Sequence, residues 1–192
     1  DNNGFLWLAT FSGLYRYEGD EFIIKHSFIN DEQINTDVTS LIVDLKNNIW
    51  IGTNNGLSRY NSTTEEMVTY FHDENDNSSI GSNKIRSLGI DQSGQIYVGT
   101  FNAGLYLFHS ESNGFLKVDF GAGVKSPVYI RTMLFEGDGK LWIGTLNDGL
   151  YSLKLKGTNA ESVCNFRNED PKNKLSYNNV YCLFKDNDST IV

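Results

Sequence analysis

A four-residue pattern occurs four times in this 192-residue chain: an aromatic residue, an aliphatic residue, a small residue and threonine. The copies begin at Trp7, Trp50, Tyr97 and Trp142, so successive copies lie 43, 47 and 45 residues apart. Each copy ends in a threonine, namely Thr10, Thr53, Thr100 and Thr145. A Gly-Leu pair follows each threonine, and its glycines are Gly13, Gly56, Gly104 and Gly149. A period of this length indicates an array of one repeated supersecondary unit.

The residues between the markers predict four strands in each unit. Twelve residues before the aromatic position, a β-branched residue opens an apolar run: Val38, Ile85, Ile130 and Val180. That run ends at an acid and a short polar turn, and the acids are Asp44, Asp91, Glu136 and Asp186. The aromatic strand and two further apolar runs follow, which fits four short antiparallel strands in a repeat of ~43–47 residues. No segment has a sustained helical period, so the sequence predicts an all-β fold.

A four-stranded antiparallel unit of this length is typical of one blade of a β-propeller. The recurring aromatic residues are then expected to pack between blades, and the recurring acids to cap the amides of their own turns. The glycines Gly52, Gly99 and Gly144 are expected to let neighbouring sheets approach closely. These repeated residues are therefore interpreted as structural and not as sugar platforms or catalytic carboxylates.

The repeat also predicts how the chain divides. Residues 1–30 form a blade without its inner strand, and residues 31–75, 76–122 and 123–172 form complete blades. Residues 173–192 supply the inner strand and the start of the next blade, and Val192 falls on its aromatic position. We expect a partial arc of a larger ring, for which seven blades is a common number. Alternatively, Val180–Asp186 completes the first blade and closes a four-bladed ring.

Composition excludes several classes of function. The formal net charge is −8, which disfavours nucleic-acid binding by this segment. No apolar stretch approaches the ~20 residues of a membrane helix, so membrane contact is expected only through a span outside the segment. Cys164 and Cys182 lack a metal-binding spacing and are predicted to be free, buried thiols. No metal or cofactor motif is present, and the three histidines lie far apart in the repeat.

The repeated unit reads Asp-x-x-Gly-x-(Ile/Leu)-(Trp/Tyr)-(Ile/Val)-Gly-Thr-x-x-x-Gly-Leu-(Tyr/Ser), and it resembles the two-component regulator propeller repeat. Asp91–Tyr106 and Glu136–Tyr151 match it best, and four copies cover essentially the whole chain. The resemblance implies the periplasmic sensor region of a membrane-anchored hybrid histidine kinase of the Bacteroidetes. It further implies two seven-bladed propellers, a homodimer, a glycan fragment as ligand and polysaccharide-utilisation genes as output. The kinase is expected elsewhere in the protein, so the resemblance implies that this segment itself is not an enzyme.

Positions that vary between the repeats are candidates for a ligand site. The residue after each β-branched start varies, and its occupants are Thr39, Arg86, Arg131 and Tyr181. We predict Arg86 and Arg131 as donors to a carboxylated or sulfated sugar, because guanidinium groups bind such anions in a bidentate manner. Phe101 is predicted as a stacking face, and the residues predicted to bind hydroxyl groups are Asn102, Asn147 and Asp148. Alternatively, both arginines pair with acids between blades or extend into solvent.

Two other functions stay open at this point. One is a carbohydrate-active propeller enzyme, either a lyase or a hydrolase. Glycoside hydrolysis requires two facing carboxylates, and the sequence alone does not exclude such a pair. The other is a propeller that binds a protein partner, since this fold supports many unrelated functions.

Overall fold

The structure is a computed structural model that describes residues 1–27, 37–172, 174–187 and 190–191. The first sheet contains β1 (Trp7–Thr10), β2 (Gly13–Tyr17) and β3 (Phe22–Ser27). The second contains β4 (Val38–Val43), β5 (Asn48–Thr53), β6 (Gly56–Asn61) and β7 (Met67–Tyr70). The third contains β8 (Ile85–Ile90), β9 (Ile96–Thr100), β10 (Leu105–His109) and β11 (Gly114–Lys117). The fourth contains β12 (Ile130–Phe135), β13 (Lys140–Thr145), β14 (Leu150–Lys156) and β15 (Asn159–Phe166).

Each sheet is an antiparallel meander in which strands adjacent in sequence are hydrogen-bonded neighbours. Among the first strands of the complete sheets, β8 contacts both β4 and β12, so these three strands form the inner side of the assembly. This arrangement confirms the predicted all-β propeller of four-stranded blades. Between β12 and β13 lies one short 3₁₀ turn, Gly137–Gly139. Among the residues that the structure describes, no helix is long and apolar enough to span a membrane.

The segment predicted as a further inner strand, Asn178–Asp186, is a strand only at its end. β16 (Lys185–Asn187) pairs with β17 (Thr190–Ile191), and residues 178–184 have no strand partner. The main-chain groups that begin this segment bond instead to the fourth sheet: Val180 donates to the carbonyl of Thr145 at 3.0 Å. In the described part of the chain β16 does not pair with β1, so the four-bladed closure is not formed. Residues 28–36 and Val192 lie outside the described residues.

The recurring aromatic side chains of the first three repeats pack between sheets, as predicted. Trp50 is 1% exposed and packs among Ile85, Leu88 and other apolar residues of the third sheet. Tyr97 is fully buried and makes the same contact with the fourth sheet. Trp7 packs with residues of the second sheet. Trp142 is half-buried, and its ring stacks on Phe166 at a centroid distance of 5.9 Å. Three of the four repeats therefore contribute one aromatic residue to an interface between sheets, whereas Trp142 packs within its own sheet.

The acids in the repeats that contain a tryptophan have a partner that sequence reasoning did not identify. Asp44 accepts hydrogen bonds from the turn amides of Lys46 and Asn48 at 2.8 and 2.9 Å, which confirms the predicted cap. Its other oxygen accepts the indole N–H of Trp50 at 2.9 Å. The same bond joins Trp7 to Asp1 at 2.8 Å and Trp142 to Glu136 at 2.7 Å. Hydrogen bonds from Trp142 and Lys140 lower the pKa of Glu136. In these repeats the acid thus orients the indole ring of the tryptophan.

The threonine and glycine of each repeat close one tight turn. The Thr53 hydroxyl donates to the carbonyl of Gly56 at 3.0 Å and accepts the amide of Asn55 at 3.0 Å. The threonine-to-glycine bond recurs in the other three repeats at 3.3, 2.8 and 2.7 Å. The hydroxyl thus both donates and accepts within the turn, which explains why threonine ends the aromatic strand.

A glycine precedes three of these threonines, Thr53, Thr100 and Thr145, and it permits close contact between sheets. A Cβ added at Gly99 would lie 2.5 Å from Cγ2 of Ile130, the residue that opens the next inner strand. The corresponding distances are 2.7 Å from Gly52 to Ile85 and 2.6 Å from Gly144 to Val180. The predicted close approach is therefore confirmed, and its partner is the recurring β-branched side chain.

Candidate functional site

The strand register brings two parts of each complete sheet to the same face. One is the first residue of the inner strand, and the other is the second turn, which joins the second strand to the third. Val38 pairs with Thr53, Ile85 with Thr100 and Ile130 with Thr145. The residue that opens each inner strand thus lies beside the threonine after which the chain turns. Residues from neighbouring sheets can consequently meet at this face.

Each inner strand carries a β-bulge directly after its first residue. The register shifts between Val38 and Ser40, between Ile85 and Ser87, and between Ile130 and Thr132. The extra residue in these three bulges has no cross-strand partner, and its identity is Thr39, Arg86 or Arg131. A bulge re-aims the side chain of its extra residue and often lies beside a functional site. The position that varies in sequence therefore coincides with a β-bulge that recurs in all three of these inner strands.

The re-aimed side chains line a cavity of about 470 Å³. Its lining residues come from the second, third and fourth sheets and from the segment that follows them: Thr39, Arg86, Phe101, Tyr129, Ile130, Arg131, Leu146 and Tyr181. This volume lies within the range of ~300–1,000 Å³ that small-molecule pockets occupy. The structure thus brings together three of the predicted site residues, Arg86, Arg131 and Phe101.

Aromatic rings face both arginines. The guanidinium carbon of Arg86 lies 5.1 Å from the ring centroid of Phe101, and that of Arg131 lies 3.9 Å from the ring centroid of Tyr181. Tyr129 contacts Phe101 at a centroid distance of 5.1 Å. Both arginines are half-buried, and neither forms an ion pair with any residue that the structure describes. The alternative prediction of arginine–acid pairs between blades is therefore not observed in this part of the chain.

Thr39 occupies the same bulge position but performs a structural role. Its hydroxyl lies 3.0 Å from the carbonyl of Gly52 in its own sheet and 2.9 Å from the carbonyl of Ile85 in the next sheet. Because a hydroxyl has one proton, these two acceptors share it. Thr39 thereby joins the second and third sheets at the edge of the cavity.

The three predicted hydroxyl partners lie elsewhere. Asn102 lines a separate, small cavity of about 110 Å³ beside Pro127. Asn147 is exposed, and its main-chain amide donates to Oδ1 of Asn179 at 2.6 Å. Asp148 is buried and forms ion pairs with two basic residues and a hydrogen bond with a tyrosine; these partners are Lys125, Arg167 and Tyr151. Burial and the adjacent Asp148 carboxylate raise the pKa of Tyr151.

Only the first residue of each second turn faces the cavity side. Its main-chain amide donates to the carbonyl of the residue before the inner strand of the same sheet: Phe101 to Lys84 at 2.9 Å and Leu146 to Tyr129 at 3.1 Å. The later turn residues, among them Asn102, Asn147 and Asp148, do not line this cavity. Sequence reasoning missed Tyr129 and Leu146. Leu146 directly follows the recurring Thr145, and Tyr129 directly precedes Ile130, the first residue of an inner strand. These positions relative to the repeat are the signal that could have identified them.

The other candidate chemistry is sparse in the described residues. No group of three or more histidine, cysteine, aspartate or glutamate side chains there converges as a metal site. Cys164 and Cys182 are free, as predicted, but both are exposed and not buried. They occupy an outer strand and the segment after the fourth sheet, where side chains are less covered than in the aromatic strands.

Solved structures show what this chain is similar to. The extracellular domain of a protein described as a hybrid two-component system of Bacteroides thetaiotaomicron is 26% identical. It superimposes with a TM-score of 0.76 over 100% of this chain and 26% of that one. A second such domain from the same organism is 18% identical, with a TM-score of 0.62 over 99% of this chain and 30% of that one. This chain spans about a quarter to a third of the length of these domains.

More distant structures share the fold alone. Virginiamycin B lyase of Staphylococcus aureus is 13% identical, with a TM-score of 0.63 over 89% of this chain and 54% of that one. A comparison with models of protein families gives no match, and a comparison with curated proteins gives no significant match. The chain is therefore similar to the extracellular domains of hybrid two-component systems, in agreement with the resemblance of its repeats to the two-component regulator propeller.

Proposed function

We propose that this chain is a ligand-sensing segment in the periplasmic region of a hybrid histidine-kinase sensor. Its ligand is a glycan fragment that places a carboxylated or sulfated sugar in the cavity between Arg86 and Arg131. The observation that supports this most strongly is the pair of bulges that direct two arginines, without acid partners among the described residues, into one cavity. A sensor role is further supported by the similarity to extracellular domains of hybrid two-component systems.

The chemistry of the cavity suits an acidic sugar. A guanidinium group donates two parallel hydrogen bonds to a carboxylate or a sulfate, and such charge-assisted bonds are stronger than neutral ones. Phe101, Tyr129 and Tyr181 supply flat apolar walls, while the protein as a whole has a net charge of −8. Two unpaired cations in an otherwise acidic protein would select an anionic group at this point of the surface.

Signalling would follow from the way the cavity is assembled. Its walls come from the second, third and fourth sheets and from the segment that contains Tyr181, so a ligand would tie these elements together. Preferential binding to one arrangement of the periplasmic domains would shift the population toward one kinase state. We propose that this occurs in a homodimer that contains a second propeller and controls polysaccharide-utilisation genes.

We propose no catalytic role for this segment. The likeness to virginiamycin B lyase extends to the fold alone, and propellers support many unrelated functions. Incubation of the protein with the oligosaccharides named below, followed by chromatography, should show no products.

The arginine variants test the proposed ligand class. Isothermal titration of the protein with its whole periplasmic region, using uronate, sulfated and neutral oligosaccharides, should detect binding of anionic probes only. Arg86→Ala and Arg131→Ala should each weaken this binding roughly tenfold or more, since each removes a charge-assisted contact. Arg16→Ala is the matched control, because Arg16 lies in the first sheet and pairs with Glu18. Unchanged affinity in the double variant would contradict the proposal.

A further inference from the structure

A second cavity adjoins the arginine cavity on the same face. It is more open and has a volume of about 710 Å³. Its lining residues come from the first, second and third sheets: Ala9, Thr10, Phe11, Asp37, Val38, Thr39, Asn54 and Arg86. Thr39 and Arg86 line both cavities. The two cavities therefore adjoin at these two residues, and we refer to the pair, from Phe11 to Tyr181, as the long groove.

The far end of the long groove repeats the design of the arginine end. Phe11 and Asn54 are the first residues after Thr10 and Thr53, which is the turn position that Phe101 and Leu146 occupy in the later sheets. Asn54 is fixed like Phe101, since its main-chain amide donates to the residue before its inner strand, Asp37, at 3.2 Å. Two of these four equivalent positions thus carry a phenylalanine that faces the groove.

Phe11 differs from Phe101 in its charge environment. Its ring is 76% exposed, whereas Phe101 is half-buried and faces a guanidinium group. Among the described residues that line the Phe11 end, Arg86 is the one basic side chain, and it lies where the two cavities meet. The acidic side chain at this end, Asp37, accepts a hydrogen bond from Nδ2 of Asn54 at 3.3 Å. An anionic sugar is therefore favoured at the arginine end and not at the Phe11 end.

We infer that the long groove binds an oligosaccharide of at least two sugars in one direction. The acidic sugar lies between Arg86 and Arg131, and a neutral sugar stacks on Phe11, which makes Phe11 a specificity-determining residue. This inference rests on the proposed function, because it takes the arginine cavity as the anionic subsite. It adds the minimum length of the ligand and the order of its acidic and neutral sugars.

The test uses glucuronate together with hyaluronan di- and tetrasaccharides, in which glucuronate alternates with a neutral N-acetylated sugar. Affinities are measured by ligand-observed NMR and calorimetry on the protein with its whole periplasmic region. Phe11→Ala should weaken tetrasaccharide binding roughly five- to tenfold and leave glucuronate binding within about twofold. Phe11→Trp should instead retain tetrasaccharide binding close to that of the wild type, because tryptophan keeps a flat apolar face. Phe22→Ala is the matched control, since Phe22 is an exposed phenylalanine of the same sheet outside the groove.

The outcomes separate this inference from the proposed function. An equal effect of Phe11→Ala on glucuronate and tetrasaccharide, or no effect on either, would overturn the inference while the arginine site stands. Failure of the wild-type protein to bind the tetrasaccharide more tightly than glucuronate would also overturn it. Conversely, unchanged glucuronate binding by the Arg86→Ala, Arg131→Ala double variant would contradict the proposed function.

Discussion

Asp44 connects the turn after an inner strand to the interface between two sheets. Its carboxylate accepts the amides of Lys46 and Asn48 as well as the indole N–H of Trp50, and both Asp44 and Trp50 are buried. Asp44→Ala leaves these donors without their acceptor, and among them the indole N–H of Trp50 is buried. We expect it to lower the free energy of unfolding by roughly 3 kcal/mol, measured by urea denaturation.

Asp91 is the matched control for this prediction. It caps its own turn through the amides of Ser93 and Gln95, but Tyr97, which replaces the tryptophan, bonds to Gln95 and Gly157 instead. Asp91→Ala should therefore cost only about 1 kcal/mol. Equal destabilisation by the two changes would show that the indole bond contributes nothing.

At this scale the sequence predicts some roles and misses others for a physical reason. The cap by Asp44 is local, because the acid and its turn amides are two to four residues apart. The bond to Trp50 spans six residues and requires the hairpin register, which a residue pattern does not contain. The same limit applies to Asp148: its partners Lys125 and Arg167 are brought to it by the fold, so its polar side chain was predicted as a ligand contact.

Neighbouring sheets fit together because a glycine faces a β-branched residue. A Cβ at Gly99 would lie 2.5 Å from Cγ2 of Ile130, which forces the third and fourth sheets apart. Gly99→Ala should therefore destabilise the protein by roughly 2 kcal/mol. Gly137→Ala is the control, because its nearest contact would be Nε2 of Gln92 at 3.5 Å. That change should stay within about 0.5 kcal/mol in the same urea denaturation experiment.

A double-mutant cycle identifies the cause. Ile130→Ala removes the methyl group that the new Cβ would meet, so Gly99→Ala should cost about 1–2 kcal/mol less in the Ile130→Ala background than in the wild type. Additive effects would show that the glycine is required for another reason, such as backbone conformation.

Sequence periodicity predicts the strands of each sheet but not the bulge within the inner strand. Residues around Arg86 and Arg131 continue the β-branched and apolar run. The local sequence therefore does not reveal that one residue of the strand lacks a cross-strand partner. What the repeat does reveal is variation at that position among otherwise similar neighbours. The two arginines could therefore be proposed from sequence, whereas the direction of their side chains depends on the register shift.

The whole molecule holds its proposed ligand at a junction of several sheets, and this predicts a measurable stabilisation. A probe that binds only the folded arrangement raises the free energy of unfolding by about 2.7 kcal/mol at a free concentration of about one hundred times Kd. An anionic oligosaccharide should consequently raise the melting temperature in differential scanning fluorimetry, whereas a neutral oligosaccharide of equal size should not.

The arginine double variant tests whether that stabilisation arises in the cavity. Neither Arg86 nor Arg131 forms an ion pair with a described residue, so their replacement by alanine removes ring contacts but no charge pair. Without probe, the variant should melt within about 4 °C of the wild type. With probe, its melting temperature should not rise. A rise equal to that of the wild type would show that the anion binds elsewhere on the protein. A ligand raises the melting temperature only if it still binds the folded variant, and this variant lacks both guanidinium groups.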